Sequence, residues 1–373
     1  MEDHSTIITV PLMDDFHVHL RQGALMKAVT SLLPSSGVGT ALVMPNLKPP
    51  ITSTDHALEY KAQLQAIAPT VDFLMTLYLG PDLTPDEIRK AARAGVVGVK
   101  SYPRGVTTNS EAGIESYAAY YPVFAAMAEE GMVLNLHGEV PSDDASDTCV
   151  LNAEERFLTH LEQLHRDFPT LRIVLEHATT KAAVDMVKAL GPTVACTVTL
   201  HHLVLTADSW AGQCHHFCKP VAKYPRDRSA LQDVVRQGHE RFFLGTDSAP
   251  HARHLKESGV AVAGVYTGAH VAVYCASILE SFGALHRLQS FACENGRRFY
   301  GLPPRPKNAA TITLKRGLAS LTVQNELPFV DDDGQARAIV PFLAGKELNW
   351  SIKTTGNVEA LSRDAGIGRG LYV

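Results

Sequence analysis

Eight times along this chain a short apolar run gives way to a longer amphipathic segment. That alternation limits the fold more than any other feature. The runs lie near residues 7–19, 40–44, 71–79, 96–99, 132–136, 171–176, 193–200 and 241–245. Between them sit helix signals: Ser53 or Thr54 ahead of Leu58 and Leu64, and Thr84-Pro85-Asp86-Glu87 with its cap, first-turn proline and early acids. Strands that alternate with helices must lie parallel, and eight of them close into a barrel. An open doubly wound sheet is the alternative, yet no glycine-rich dinucleotide or phosphate loop follows an early run. The expected fold is α/β, a (β/α)8 TIM-type barrel. After Gly301-Leu302-Pro303-Pro304 the texture changes. Residues 311–330 and 338–352 read as short β segments with polar turns such as Asp331-Asp332-Asp333-Gly334. These predict a small C-terminal β appendage on a single domain spanning 1–373, with the barrel at about 7–302 and the appendage at about 303–373.

Composition narrows the chemistry. With 373 residues and 45% hydrophobic content, the chain can bury a large core. A net charge of -5 without a dense basic block speaks against nucleic acid as a partner. No apolar run is long enough to span a membrane, and the acidic start Met1-Glu2-Asp3-His4 lacks a signal-peptide pattern. The 6 cysteines are scattered, which fits a reducing cytoplasm better than a disulfide scaffold.

The 17 histidines prompt a search for metal ligands. Near the end of the first run stands His17-Val18-His19. On a strand these two imidazoles share one face, with Phe16, Val18 and Leu20 on the other. Two parallel imidazoles on a rigid support can hold one metal ion. Arg21 follows on the histidine face, placed to meet an anion. Later runs deliver Lys100, His137, His177 and Asp247 at their ends. Taken singly, each has a plainer explanation: a lysine leaving a strand, a turn histidine, a core histidine, a turn cap. A parallel barrel brings all strand ends to one mouth, and there the set becomes a metal site. Imidazoles and carboxylates suit zinc. A lysine between two cations loses its proton readily, and the neutral amine can add carbon dioxide. The carbamate so formed has two oxygens, enough to bridge two metals.

Two other clusters read as structural. Cys214-His215-His216-Phe217-Cys218 lacks the second paired half of a zinc finger. His201-His202 read as loop and packing residues.

At this point a resemblance becomes specific. His17-Val18-His19, Lys100, His137, His177 and Gly245-Thr246-Asp247-Ser248-Ala249-Pro250-His251 resemble the binuclear metal site of the amidohydrolase superfamily. Asp15-Phe16-His17-Val18-His19-Leu20-Arg21, Met44-Pro45-Asn46-Leu47 and Leu136-His137-Gly138-Glu139 narrow the likeness to the short monofunctional dihydroorotases of bacteria and fungi. The resemblance implies two zinc ions per chain. His17, His19 and Asp247 hold the more buried one, His137 and His177 hold the second, and carbamylated Lys100 bridges them. It implies reversible cyclisation of N-carbamoyl-L-aspartate to L-dihydroorotate, with Asp247 as the proton shuttle. Arg21, Asn46 and His251 are implied to bind the substrate carboxylate. Thr107 and Thr108 lie on a mobile covering loop, and main-chain groups near Lys219 and Ala263 bind the ring. The family also implies a cytoplasmic homodimer. The rival expectations are a hydantoinase or allantoinase, with a different carboxylate pocket, and an inactive scaffold barrel, which should have lost metal ligands or Asp247.

Overall fold

Parallel pairing runs unbroken through eight consecutive strands: β2 (Met13–Val18), β3 (Val38–Val43), β4 (Asp72–Tyr78), β5 (Gly98–Ser101), β6 (Val133–His137), β7 (Arg172–Glu176), β8 (Val194–Val198) and β9 (Phe242–Leu244). The computed structural model describes residues 6–306 and 308–355; the acidic start at residues 1–4 and the chain beyond 355 lie outside the described residues. Almost every residue of these strands is buried, as parallel strands covered on both faces must be. Helices return the chain between strands, and their starts are chemically set. Thr84 accepts the Glu87 amide (3.2 Å) and Thr180 accepts that of Ala183 (3.1 Å).

The first apolar run is two strands rather than one. A separate β1 (Ile7–Pro11) pairs antiparallel with β10 (Thr311–Thr322), which in turn pairs with β13 (Glu347–Thr355). Pro11 has no amide hydrogen to donate, so the ladder breaks there and the chain turns into the barrel at Met13. A second small sheet pairs β11 (Leu327–Val330) with β12 (Ala336–Ile339) across the acidic turn. The C-terminal β texture is thus present, with its three-stranded sheet completed by the N-terminus. β12 begins two residues before the segment expected at 338.

The barrel interior is layered. Phe16, Leu42, Leu74, Val133, Val174, Ala195 and Phe243, one from each of seven strands, form an apolar cluster with Tyr300. Tyr300 stacks on Phe16, ring centroids 4.8 Å apart. Above this floor lie Asn135 and Glu176, and beyond them the mouth.

Simple alternation fails at one point of β2. Asp15 pairs with Ala41 but Val18 with Val43, so one residue is inserted between them. This bulge sends Phe16 into the interior cluster, while Val18 packs in the outer core beneath the helices. Phe16 and Val18 therefore occupy different faces, contrary to the alternation expected of them. His17 and His19 still project together.

No direct ladder joins β9 to β2. The gap is closed by the segment after β9. The Asp247 amide donates to the His17 carbonyl (2.9 Å), and the His19 amide donates to the Ser248 carbonyl (3.0 Å). The seam of the barrel is built from the very residues expected at the metal site.

Candidate metal centre and substrate pocket

The mouth gathers the strand-end residues. His17, His19 and Asp247 place their donor atoms within 4.8 Å of one another, all buried. Asp247 Oδ1 lies 3.0 Å from His19 Nε2 and 3.4 Å from His17 Nε2. The rings of His17 and His177 are 5.0 Å apart, and those of His137 and His177 are 4.8 Å apart. Lys100 is wholly buried inside β5, with Nζ 5.0 Å from the centre of the Tyr102 ring. It does not emerge from its strand as a surface lysine does.

Four of the candidate ligands, His17, His19, His137 and Asp247, are held by neighbours. Glu176 accepts from His17 Nδ1–H at 2.7 Å, which leaves Nε2 bare. Glu176 is fixed in turn by Thr197 Oγ1 (2.5 Å) and Asn135 Nδ2 (2.6 Å). Asn46 Oδ1 meets His19 Nδ1 at 2.8 Å, and Glu139 Oε2 meets His137 Nε2 at 2.8 Å. Asp15 receives the Thr246 amide (2.8 Å) and hydroxyl (2.6 Å), holding the turn that carries Asp247. Gly245 is needed for close approach. A Cβ there would sit 2.7 Å from the Thr197 side chain and 3.1 Å from His17 Cβ.

Sequence reasoning missed Glu176, Asn135, Asp15 and Glu139. The signal for Glu176 was a carboxylate inside the apolar Val174-Leu175-Glu176 run. Glu139 lies two residues past His137.

Backbone strain concentrates here. Of six non-glycine residues with positive φ among the described residues, four are Arg21, Asn109, His177 and Asp247, all in this region.

The electrostatics favour metal binding. Burial drives the His17, His19, His137 and His177 pKa values down, so all four imidazoles are neutral. Burial also pulls Lys100 down to about 8, bringing the free amine within reach of neutral pH. Burial alone pushes Asp247 up, but the His19 hydrogen bond and the imidazoles around it prevail and hold it well below the usual carboxylate range. His17 Nε2, Lys100 Nζ and His177 Nδ1 are buried without any hydrogen-bond partner. Such orphaned atoms are rare in folded proteins, and here they converge. Neutral nitrogens, a carboxylate and a deprotonatable lysine form a donor set that fits a divalent metal centre.

Around this centre lies a narrow pocket, with room of about 20 Å³. Arg21, Asn46, Thr107, Thr108, Lys219 and Ala263 line it with the metal-centre histidines and Asp247. Arg21 Nε donates to the Pro250 carbonyl (3.0 Å), and its Nη2 meets His251 Nε2 (3.0 Å). His251 Nε2 is also 3.0 Å from the Ala263 carbonyl. Burial and Arg21 keep this ring neutral, its pKa lowered to about 2, and Nε2 stands between the Arg21 guanidinium and the Ala263 carbonyl. His251 thus touches Arg21 and Ala263, both of which line the pocket.

The 103–113 loop lies over the mouth. Thr108 Oγ1 donates to Ala263 (3.3 Å), Asn46 Nδ2 to the Thr108 carbonyl (3.1 Å) and Asn109 Nδ2 to the Asn46 carbonyl (3.0 Å). Lys219 uses its side chain: Nζ donates to the Val106 carbonyl at 2.8 Å.

Comparison with known proteins places this geometry. An amidohydrolase family model matches residues 52–191. The dihydroorotase of Mycosarcoma maydis is 51% identical, over 92% of this chain and 98% of its own length. The chain belongs to the dihydroorotase family. It is thereby an enzyme that acts on a cyclic amide. A dihydroorotase crystal structure from Saccharomyces cerevisiae, in complex with 5-fluoroorotic acid, superimposes with a TM-score of 0.86. It is 42% identical and covers 93% of this chain and 98% of its own. An L-hydantoinase from Arthrobacter aurescens shares the fold alone, with a TM-score of 0.77 at 20% identity over 93% of this chain and 83% of its own. Dihydroorotase kinship thus covers the barrel and the appendage alike.

One further cluster lies outside the expected site. His201 and His202, read from sequence as loop and packing residues, place their donor atoms within 4.8 Å of each other and of that of Cys218, all buried.

Proposed function

We propose that this mouth catalyses the dihydroorotase reaction of pyrimidine synthesis, the reversible cyclisation of N-carbamoyl-L-aspartate to L-dihydroorotate plus water. The observation that carries this reading is the convergence of orphaned, neutral donors at the barrel mouth, flanked by an arginine-lined anion pocket. His17, His19 and Asp247 would hold one zinc ion, and His137 and His177 a second. Lys100, carbamylated by carbon dioxide, would bridge them. When bound, the ions supply Lewis acidity and a water that ionises near neutral pH.

The rest is the work of side chains. Asp247 is ionised, so it can accept a proton during ring opening and return it to the departing ring nitrogen. In the biosynthetic direction it moves the proton the other way. Arg21, Asn46 and His251 bind the carboxylate that stays outside the reaction, with Arg21 as the charged partner. The main chain at Ala263 and Lys219 faces the ring. Thr107 and Thr108 cover the substrate and exclude water.

The wider setting is part of the same reading. We take 1–373 as one domain, its barrel and appendage stitched together by β1. The enzyme works as a cytoplasmic homodimer. All six cysteines are free, as in a reducing compartment, and no helix among the described residues is long and apolar enough to cross a membrane.

The test is a comparison of substrates. The purified chain should consume L-dihydroorotate and release N-carbamoyl-L-aspartate, with hydantoin and allantoin turned over poorly. A higher kcat/KM for a neutral hydantoin would overturn the anionic assignment of the pocket.

A further inference from the structure

Outside the mouth, the most unusual buried chemistry lies just after β8. His201 is fully buried, and neither of its ring nitrogens has a hydrogen-bond partner. His202 Nδ1 is likewise orphaned. Packing alone gives no reason to bury these atoms, because a ring without polar atoms would fill the same space without the desolvation cost. The two rings stand 4.3 Å apart. Facing them is Cys218, delivered by a different segment, with Sγ 3.5 Å from His202 Nε2. The Pro220 carbonyl lies 3.0 Å from that nitrogen and 3.3 Å from the sulfur.

We propose that His201, His202 and Cys218, with the Pro220 carbonyl, form a further metal site that takes a single zinc-like divalent ion. It shares no donor with the mouth. Zinc–sulfur and zinc–nitrogen bonds of about 2.3 and 2.0–2.1 Å place tetrahedral donors roughly 3.3–3.6 Å apart. Cys218, His202 and Pro220 are spaced close to this. His201, within 4.8 Å, closes the set by a small side-chain movement. The donors suit a borderline metal: one sulfur, two imidazoles and an oxygen.

The charges agree. Burial lowers His201 to about 4 and His202 further, so both rings are neutral. Burial and the Asp247 carboxylate raise the Cys218 thiol, and the Lys256 and Lys223 ammonium groups only partly offset that rise, so the thiol keeps its proton until an ion binds. Those cations are themselves bound. Lys256 Nζ donates to the carbonyls of Phe217 (2.9 Å), Val262 (2.9 Å) and Gly264 (2.7 Å), and Lys223 Nζ donates to that of Val221 (2.9 Å). On binding, the His202 proton moves from Nε2 to Nδ1 and the thiol proton is released. The ion would tie the 217–220 segment to the end of β8. That segment carries Lys219, whose ammonium group holds the 103–113 loop.

Cobalt(II) tests this directly. Sulfur ligation gives a thiolate-to-cobalt charge-transfer band in the near ultraviolet, and the mouth contains no sulfur donor. Chain produced with cobalt(II) should show the band. Cys218→Ser should abolish it and lower bound metal by one ion per chain. Cys214→Ser and His17→Ala should keep it. If Cys218→Ser does not fold by circular dichroism, His201→Gln, similar in size, carries the measurement and should lose the same ion. A folded wild type without the band overturns the proposal. So does equal metal content in wild type and the folded variant, or a band lost in Cys214→Ser instead.

Discussion

The two ends of β2 bury charge in opposite ways. Near its start, Asp14 is 1% exposed and receives both Nε (3.0 Å) and Nη2 (3.0 Å) of Arg297, while Arg305 donates to the same carboxylate. Arg297 also reaches Thr40 Oγ1 at 2.9 Å. Near its end, His17 is as deeply buried, yet Nε2 is left bare. At the floor the carboxylate's oxygens are met by arginines within the protein. At the mouth, Glu176, Asn46 and Glu139 each meet one ring nitrogen of His17, His19 and His137, while His17 Nε2, His177 Nδ1 and Lys100 Nζ are left without a partner. The difference separates a structural ion cluster from a site built to receive something.

Variants at the two ends should diverge accordingly. The largest effect belongs to Asp247→Asn, which keeps the shape but removes the proton acceptor. Steady-state turnover of L-dihydroorotate should fall by about 10³-fold, with bound metal largely retained. Wild-type turnover would remove Asp247 as the shuttle. Next, Arg21→Met should lower kcat/KM by about a hundredfold, mainly through KM. An unchanged value would place the carboxylate elsewhere. Glu176→Gln keeps a hydrogen-bonding side chain but loses the charge that fixes the His17 tautomer. Metal affinity, measured by competition with a chelator, should drop about 10–100-fold. The smallest effect on turnover is expected from Asp14→Ala at the floor. It leaves two part-buried arginines without their carboxylate and should cost about 2 kcal/mol in urea unfolding, while kcat per folded chain stays within about twofold of wild type. A large loss of turnover there would break the contrast.

The same contrast explains what could be read from sequence. Eight alternating runs give a closed parallel barrel because each strand needs helices on one face and its neighbours on both edges. A residue at a strand end needs no further information to be placed at the mouth, so His17, His137, His177 and Asp247 were legible from local pattern and family likeness together. The floor was not. Asp14 meets Arg297 and Arg305 across nearly the whole chain, and nothing local announces that pairing. The bulge between Asp15 and Val18 was hidden for a similar reason. It exists only in the register of β2 against β3, which the sequence of one strand does not contain. The nearness of His201, His202 and Cys218 was not legible because it depends on how the irregular 201–224 stretch folds back on itself. Lys219 was expected to act through its main chain. Its side chain proves to hold the loop, a contact only the folded 103–113 segment creates.

The most direct test of the account is anomalous diffraction at the zinc edge from crystals of the metal-loaded chain. The account predicts two peaks at the mouth. One should lie among His17, His19 and Asp247, the other beside His137 and His177, with density extending from Lys100 Nζ between them as a carbamate. A mouth without anomalous signal, or a plain lysine with its amine unmodified beside a single ion, would contradict it.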